Sequence, residues 1–144
     1  MNGFLLDTNV ISETVRPRPE PRVLNWFRER TPRDLFLSAV TLGELVRGAR
    51  KLDDPARSRR YRQWITQDLT RQFDGRILPF DDRAAAIWGE IMAAGDQAGY
   101  PRPALDAQIA AVARRHDLIL ATRNRRDFQN MDLPLVDPWR NGTT

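Results

Sequence analysis

The chain has 144 residues, of which 41% are apolar and 29% charged, with a net charge of +4 and a pI of about 10.5. It contains no cysteine and one histidine, which excludes disulfides, thiolate zinc sites, cysteine nucleophiles and any mechanism that needs two histidines in one chain. The length fits one domain over residues 1–144, and the basic balance favours polyanionic partners.

Apolar runs predict five strands, and helical runs lie between them. The strands are expected at residues 3–7, 35–40, 77–80, 118–122 and 135–136. A helical run begins directly after the first strand, and further helices are expected at residues 21–30, 42–51, 54–73, 82–98 and 103–116. The first four strands lack clear alternation, as expected when both faces of a parallel sheet are covered. We therefore predict an α/β fold of three layers, with helices on both sides of a mostly parallel sheet of about five strands.

No apolar run approaches the roughly 20 residues that a membrane span requires. The N-terminus also lacks the basic segment, apolar stretch and cleavage site of a secretory signal peptide. We therefore expect no membrane partner and a cytoplasmic location.

Four acidic residues are predicted to lie at one edge of the sheet. Asp7 closes the first strand, and Glu44 is expected in the first turn of the helix after the second strand. Asp106 lies early in the helix that runs back towards the fourth strand, and Asn124 and Asp127 follow that strand. In open parallel sheets, sites form at the carboxyl ends of the strands, near the point where strand order reverses.

Each acid also has a purely structural interpretation. Asp7 could cap the following helix, and Glu44 could form a capping box with Thr41. Asp106 could simply interact favourably with the dipole of its helix, and Asp127 could be a turn residue. The shared location is what favours a functional interpretation.

Several carboxylates at close range repel one another and tend to retain protons. A hard cation such as Mg²⁺ or Mn²⁺ removes that conflict, because such ions prefer oxygen ligands. The ion would bind a phosphate oxygen, lower the pKa of a bound water and stabilise the leaving oxygen. The four acids therefore indicate a site that hydrolyses phosphodiesters without histidine or cysteine.

The motifs, taken in order, resemble those of the PIN-domain nucleases, and more closely those of the VapC-type toxins of bacterial toxin–antitoxin pairs. The resemblance covers nearly the whole chain, in segments 5–13, 37–45, 76–81, 106–111, 120–128 and 137–139. It implies a PIN-like α/β/α domain and an endoribonuclease that depends on Mg²⁺ or Mn²⁺ and cuts tRNA or rRNA. It also implies a homodimer and a cognate antitoxin whose C-terminal segment covers the site.

The resemblance assigns metal-binding and catalytic roles to the acids. Asp7, Glu44 and Asp106 match the acidic positions of the family. Many relatives carry an aspartate where this chain has Asn124, so we expect Asp127 to supply the fourth charge. Asn124 is then expected to act through its carbonyl oxygen or to orient the substrate.

Other polar residues lie beside these acids in the sequence. Asn9 and Thr122 are expected to support the site, although hydrogen bonding at the edge of the core is an alternative. Arg123, Arg125 and Arg126 flank the site and are expected to contact substrate phosphates.

Two further segments have open interpretations. Trp26 and Phe27 are expected in the core, with a groove for an antitoxin helix as the alternative. The run 57–64 combines dense positive charge with Tyr61 and Trp64. We favour a solvated helix face whose aromatic residues pack inward, and a grip on an RNA backbone is the alternative.

Two other functions compete with the ribonuclease. A phosphatase of the haloacid-dehalogenase type also begins with a strand that ends in aspartate, but it needs a second aspartate at the position of Asn9. It also needs a downstream lysine, and the only lysine of this chain is Lys51. The second alternative is a catalytically inactive module that binds RNA or the antitoxin.

Overall fold

A five-stranded parallel sheet forms the centre of the computed structural model, which describes residues 3–140. The strands follow the order β3-β2-β1-β4-β5, and each neighbouring pair is parallel. Their bounds are β1 Phe4–Leu6, β2 Leu35–Ser38, β3 Ile77–Leu78, β4 Ile119–Ala121 and β5 Leu135–Val136. The predicted sheet is thereby confirmed. Strand order reverses between β1 and β4, at the middle of the sheet.

Seven α-helices cover the two faces of the sheet within residues 3–140. They are α1 Thr8–Glu13, α2 Pro21–Arg28, α3 Ala39–Arg50, α4 Pro55–Gln63, α5 Thr70–Gln72, α6 Asp82–Gln97 and α7 Ala104–Arg115. A π-helical segment, Trp64–Leu69, joins α4 to α5, and short 3₁₀ helices occur at Pro32–Asp34 and Arg125–Phe128. Within the described part of the chain, no helix is long and apolar enough to cross a bilayer.

The core has two parts, one on each face of the sheet. Leu6 of β1 packs with Val10 and Trp26 on one face, whereas Leu5 packs with Ile109 and other α7 residues on the opposite face. This alternation follows from the two-residue repeat of a strand. The three-layer α/β/α fold is therefore confirmed, and so is the core position of Trp26, which is 1% exposed.

The junction between β2 and α3 differs from the prediction. The strand ends at Ser38, whose Oγ accepts a hydrogen bond from the amide of Val40 at 3.0 Å, and α3 begins at Ala39. The predicted capping box of Thr41 and Glu44 is therefore wrong, because both residues lie inside the helix. Glu44 is in the second turn of α3 rather than in the first.

The predicted helix 54–73 is helical throughout but not uniform. Asp54 caps α4 by accepting a hydrogen bond from the amide of Ala56 at 3.0 Å. The wider π-helical segment then interrupts the α-helical repeat from Trp64 to Leu69. Such segments are rare and occur frequently at functional sites.

Candidate active site

Asp7 is fixed at the point where β1 and β4 end side by side. Its backbone amide donates to the carbonyl of Ala121 in β4 at 2.9 Å. Its Oδ2 accepts a hydrogen bond from Thr122 Oγ1 at 2.8 Å, and its Oδ1 accepts one from the amide of Thr8 at 2.8 Å. The side chain therefore caps α1, as the structural interpretation predicted, and it is also held at the position where strand order reverses.

Glu44 reaches the same edge from α3. Its Oε1 accepts a hydrogen bond from Thr8 Oγ1 at 2.7 Å, and Thr8 Oγ1 also lies 3.3 Å from Thr41 Oγ1. Thr8 thus connects the first two acids, since its amide binds Asp7 and its hydroxyl binds Glu44. Sequence reasoning missed this role of Thr8, because the contact joins residues 36 positions apart and leaves no local signal.

Asp106 lies in the first turn of α7 and is half-buried. The pKa of its carboxyl is raised from 3.8 to about 6, chiefly by burial and then by the negative charges of Asp7, Asp127 and Glu44, in that order of effect. Burial likewise raises the pKa of Asp7, while hydrogen bonds from Thr122 and Thr8 lower it and the charges of Glu44 and Asp127 raise it. The fold therefore brings the four acids into one electrostatic environment.

The chemistry of this cluster suits a hard divalent cation. All four side chains offer carboxylate oxygens, which Mg²⁺ and Mn²⁺ prefer. Burial is the main cause of the raised pKa values of Asp7 and Asp106, and the charges of neighbouring acids add to it, a repulsion that such a cation offsets. Within residues 3–140, however, no three acidic or histidine side chains converge closely enough to hold one ion as they stand. A metal-binding role for the four acids therefore stays a prediction.

Asn9 and Thr122, the two expected supporting residues, both contact Asp7. Asn9 Nδ2 donates to Asp7 Oδ2 at 3.3 Å, and Asn9 Oδ1 accepts a hydrogen bond from the amide of Arg123 at 3.3 Å. Thr122 is fully buried, and its hydroxyl accepts a hydrogen bond from the amide of Asn124 at 3.0 Å while donating to Asp7. These contacts hold the Asp7 carboxylate in one orientation.

The two candidates for the fourth acidic position lie in and beside a short 3₁₀ helix. Asn124 precedes this helix, and its carbonyl accepts a hydrogen bond from the amide of Asp127 at 3.0 Å. Asp127 is exposed, yet its charge acts on both Asp7 and Asp106. Asp127 therefore contributes negative charge to this edge of the sheet, and its role as the fourth acid stays a prediction.

The three arginines expected at the site line a cavity of about 510 Å³ that also includes Asp127. The guanidinium of Arg123 lies 5.0 Å from the centre of the Trp139 ring, in cation–π geometry. Buried Asp137 supports this wall by accepting a hydrogen bond from the Trp139 amide at 2.9 Å. The cavity places positive charge next to Asp127, and sequence reasoning missed the contribution of Trp139.

Comparison with known proteins identifies relatives along nearly the whole chain. The family model described as "PIN domain" matches residues 4–133. The chain is 39% identical to the protein named "Toxin FitB" from Neisseria gonorrhoeae, over 94% of this chain and 98% of that protein. It is 31% identical to the "tRNA(fMet)-specific endonuclease VapC" of Shigella flexneri, over 96% and 99% of the two chains.

The similarity to Toxin FitB extends from the sequence to the fold. The crystal structure of FitAcB from Neisseria gonorrhoeae matches with a TM-score of 0.89 and 39% sequence identity, covering 95% of this chain and 99% of the other.

Proposed function

Because the chain belongs to the PIN-domain family, we propose that it is a VapC-type ribonuclease toxin that hydrolyses RNA with the help of a divalent cation. The observation that carries this proposal is the shared position of Asp7, Glu44, Asp106 and Asp127 at the carboxyl edge of the sheet, where Asp106 has its pKa raised to about 6. Burial of charge without full compensation is unfavourable, and it persists mainly where function requires it.

The four acids would hold Mg²⁺ or Mn²⁺. When bound, the cation supplies Lewis acidity towards a phosphate oxygen and lowers the pKa of a water molecule. Three neighbouring residues of the site have positioning roles in this mechanism. Thr122 and Asn9 orient the Asp7 carboxylate, and Thr8 orients that of Glu44.

Three arginines of the neighbouring cavity would bind the RNA backbone. Arg123, Arg125 and Arg126 line the same cavity as Asp127, so phosphates held there lie next to that carboxylate. Asn124 lines that cavity too, which supports a role in orienting the substrate.

Cleavage of a structured RNA by the purified full-length chain tests the proposal. We expect cleavage with Mg²⁺ or Mn²⁺, none with EDTA, and a loss of at least a hundredfold in Asp7→Asn, the order of effect seen when a key electrostatic group is removed. Asp96→Asn is the matched control, because Asp96 is an exposed aspartate of α6 outside the acidic cluster. Equal cleavage by wild type and Asp7→Asn would contradict the mechanism.

The same protein should not hydrolyse small phosphomonoesters. The residue two positions after Asp7 is Asn9, which cannot serve as a general acid, and this disfavours the dehalogenase-type phosphatase. Hydrolysis of a phosphomonoester without cleavage of RNA would favour that alternative. Binding of RNA without any hydrolysis would favour the inactive module.

Family membership supports further proposals about the substrate class and the partners. A relative named for tRNA(fMet) supports tRNA as the RNA that is cut, with rRNA as the alternative, in the cytoplasm. We also propose a cognate antitoxin that binds this chain and blocks the site, and a homodimer of the toxin itself. Measurement of mass in solution tests the dimer, and loss of cleavage on addition of the antitoxin tests the pair.

A further inference from the structure

A second cavity, separate from the one beside the acids, combines aromatic and cationic walls. It has a volume of about 830 Å³ and lies between the end of α1, the loop after it, and α4. Its lining residues are Ser12, Val15, Arg16, Pro17, Arg57, Arg60, Tyr61 and Trp64. A volume of this size is typical of ligand-binding clefts.

The aromatic wall packs against the core of the protein. The rings of Tyr61 and Trp64 pack edge to face, with centroids 5.3 Å apart. Both side chains are partly buried against the core, so the inward packing predicted from the sequence is observed, but both also line the cavity. Trp64 is the first residue of the π-helical segment. One wall of the cavity is thus an aromatic surface supported by the core.

Two arginines of the cationic wall, Arg57 and Arg60, lack compensating acids in the described part of the chain. Helix α4 contains no aspartate or glutamate. Among residues 3–140, neither Arg57 nor Arg60 has a carboxylate within 4.0 Å. Arg16 contacts Glu13 at 3.5 Å, but its side chain is 63% exposed. The cavity therefore carries positive charge that a polyanion would offset.

The cavity is also close to the acidic edge. Helix α1 begins at Thr8, directly after Asp7, and Ser12 of the same helix lines the cavity. At a rise of 1.5 Å per residue, the backbones of Asp7 and Ser12 are separated by roughly 7.5 Å along the helix. A chain that lies in the cavity is therefore within reach of the acids.

We propose that this cavity binds a nucleotide of a single-stranded segment of the RNA substrate that flanks the cut bond. The base stacks on the Tyr61 and Trp64 rings, and Arg57, Arg60 and Arg16 bind its phosphates. Rigid aromatic surfaces beside basic residues are the usual means by which proteins bind single-stranded nucleic acid. The proposal rests on the proposed function for RNA as the class of substrate.

The proposed phosphate contacts are tested by the affinity for a labelled single-stranded oligoribonucleotide. The affinity is measured by fluorescence anisotropy at several salt concentrations. Every protein in this comparison carries Asp7→Asn, so that the RNA is not cut, and the protein with this substitution alone is the background protein. Loss of two phosphate contacts in Arg57→Gln/Arg60→Gln should reduce the slope of log affinity against log salt by about 1.4. Arg50→Gln/Arg59→Gln removes the same charge from a different cavity beside α4 and should leave the slope unchanged.

The proposed stacking of the base is tested separately from the phosphate contacts, by changing the Tyr61 ring and by removing bases from the strand. Tyr61→Leu should bind the strand about tenfold more weakly, whereas Tyr61→Phe, which retains the ring, should bind as the background protein does. A strand with abasic sites should bind the background protein more weakly by a similar factor. This second measurement needs no aromatic substitution and decides the question even if Tyr61→Leu does not fold.

Two outcomes would contradict the proposal that this cavity binds a nucleotide of the RNA. One is equal binding of abasic and normal strands together with equal salt slopes in the two double variants. The other is that Arg57→Gln/Arg60→Gln weakens binding of polyglutamate but not of RNA, which would assign the cavity to an acidic protein segment. Either outcome is compatible with metal-dependent cleavage of RNA by the wild-type chain, so the two proposals fail separately.

Discussion

Asp106→Asn should increase the stability of the protein while abolishing its activity. The carboxyl of Asp106 has its pKa raised from 3.8 to about 6, first by burial and then by the charges of neighbouring acids. A raised pKa means that the folded state holds the proton more tightly than the unfolded state. Ionisation of Asp106 therefore destabilises the fold as the pH rises from about 4 through about 6, and the full penalty is present above that range.

The size of the expected gain in stability follows from the change in the pKa of Asp106. At 1.36 kcal/mol per pKa unit, a change from 3.8 to about 6 corresponds to roughly 3 kcal/mol. The side chain is only half-buried, so solvent screening reduces this value, and we expect a gain of about 1 kcal/mol in Asp106→Asn at pH 7.5. The gain should be smaller at pH 4.5, where the folded wild-type protein holds more of the proton.

Urea unfolding in EDTA, followed by far-UV circular dichroism, measures this difference at the two pH values. Asp96→Asn, which lies outside the acidic cluster, should show no gain at either pH. Added Mg²⁺ should stabilise the wild type more than Asp106→Asn, since a ligand that binds only the folded state raises its stability. Absence of a gain at pH 7.5, or an equal gain at both pH values, would refute the electrostatic reasoning.

Three further predictions test other parts of the structure. Thr122→Val removes the buried hydroxyl that donates to Asp7 and should lower the free energy of unfolding by about 2 kcal/mol, measured with urea. Asp127→Ala should reduce RNA cleavage far more than Asn124→Ala, and the reverse order in initial rates would assign the fourth position to the asparagine. Asp81→Ala removes the cap of α6 and an ion pair to α7, so it should lower the melting temperature at pH 7. The pKa of Asp81 is lowered, chiefly by the hydrogen bond from a backbone amide of α6, so this difference should disappear as the pH falls through that lowered value.

Much of the fold was predictable because its signals are local. Apolar runs marked the five strands, and strands alternating with helices permit only a mostly parallel sheet with right-handed crossovers. The same topology places the residues after β1 and β4 at one edge. The common position of Asp7 and Asp127 could therefore be predicted without knowledge of any contact between them.

The predictions that failed, and the contacts that were missed, depend on competition between neighbouring groups or on residues far apart in the sequence. Ser38 and Thr41 can both cap a helix, and the sequence does not reveal that Ser38 does so while Thr41 is buried inside α3. The hydrogen bond between Thr122 and Asp7 joins residues 115 positions apart. Such a bond shapes the site, but only the folded sheet brings its two partners together.

Titration with Mn²⁺, followed by electron paramagnetic resonance of the free ion, tests most directly whether the acidic edge holds a divalent cation. The full-length protein without RNA is sufficient, so the result does not depend on the choice of substrate. We predict that the wild type removes free Mn²⁺ from solution and that Asp7→Asn and Glu44→Gln do so much more weakly, while Asp96→Asn behaves as the wild type does. Equal Mn²⁺ binding by the wild type and Asp7→Asn would contradict a metal site at this edge.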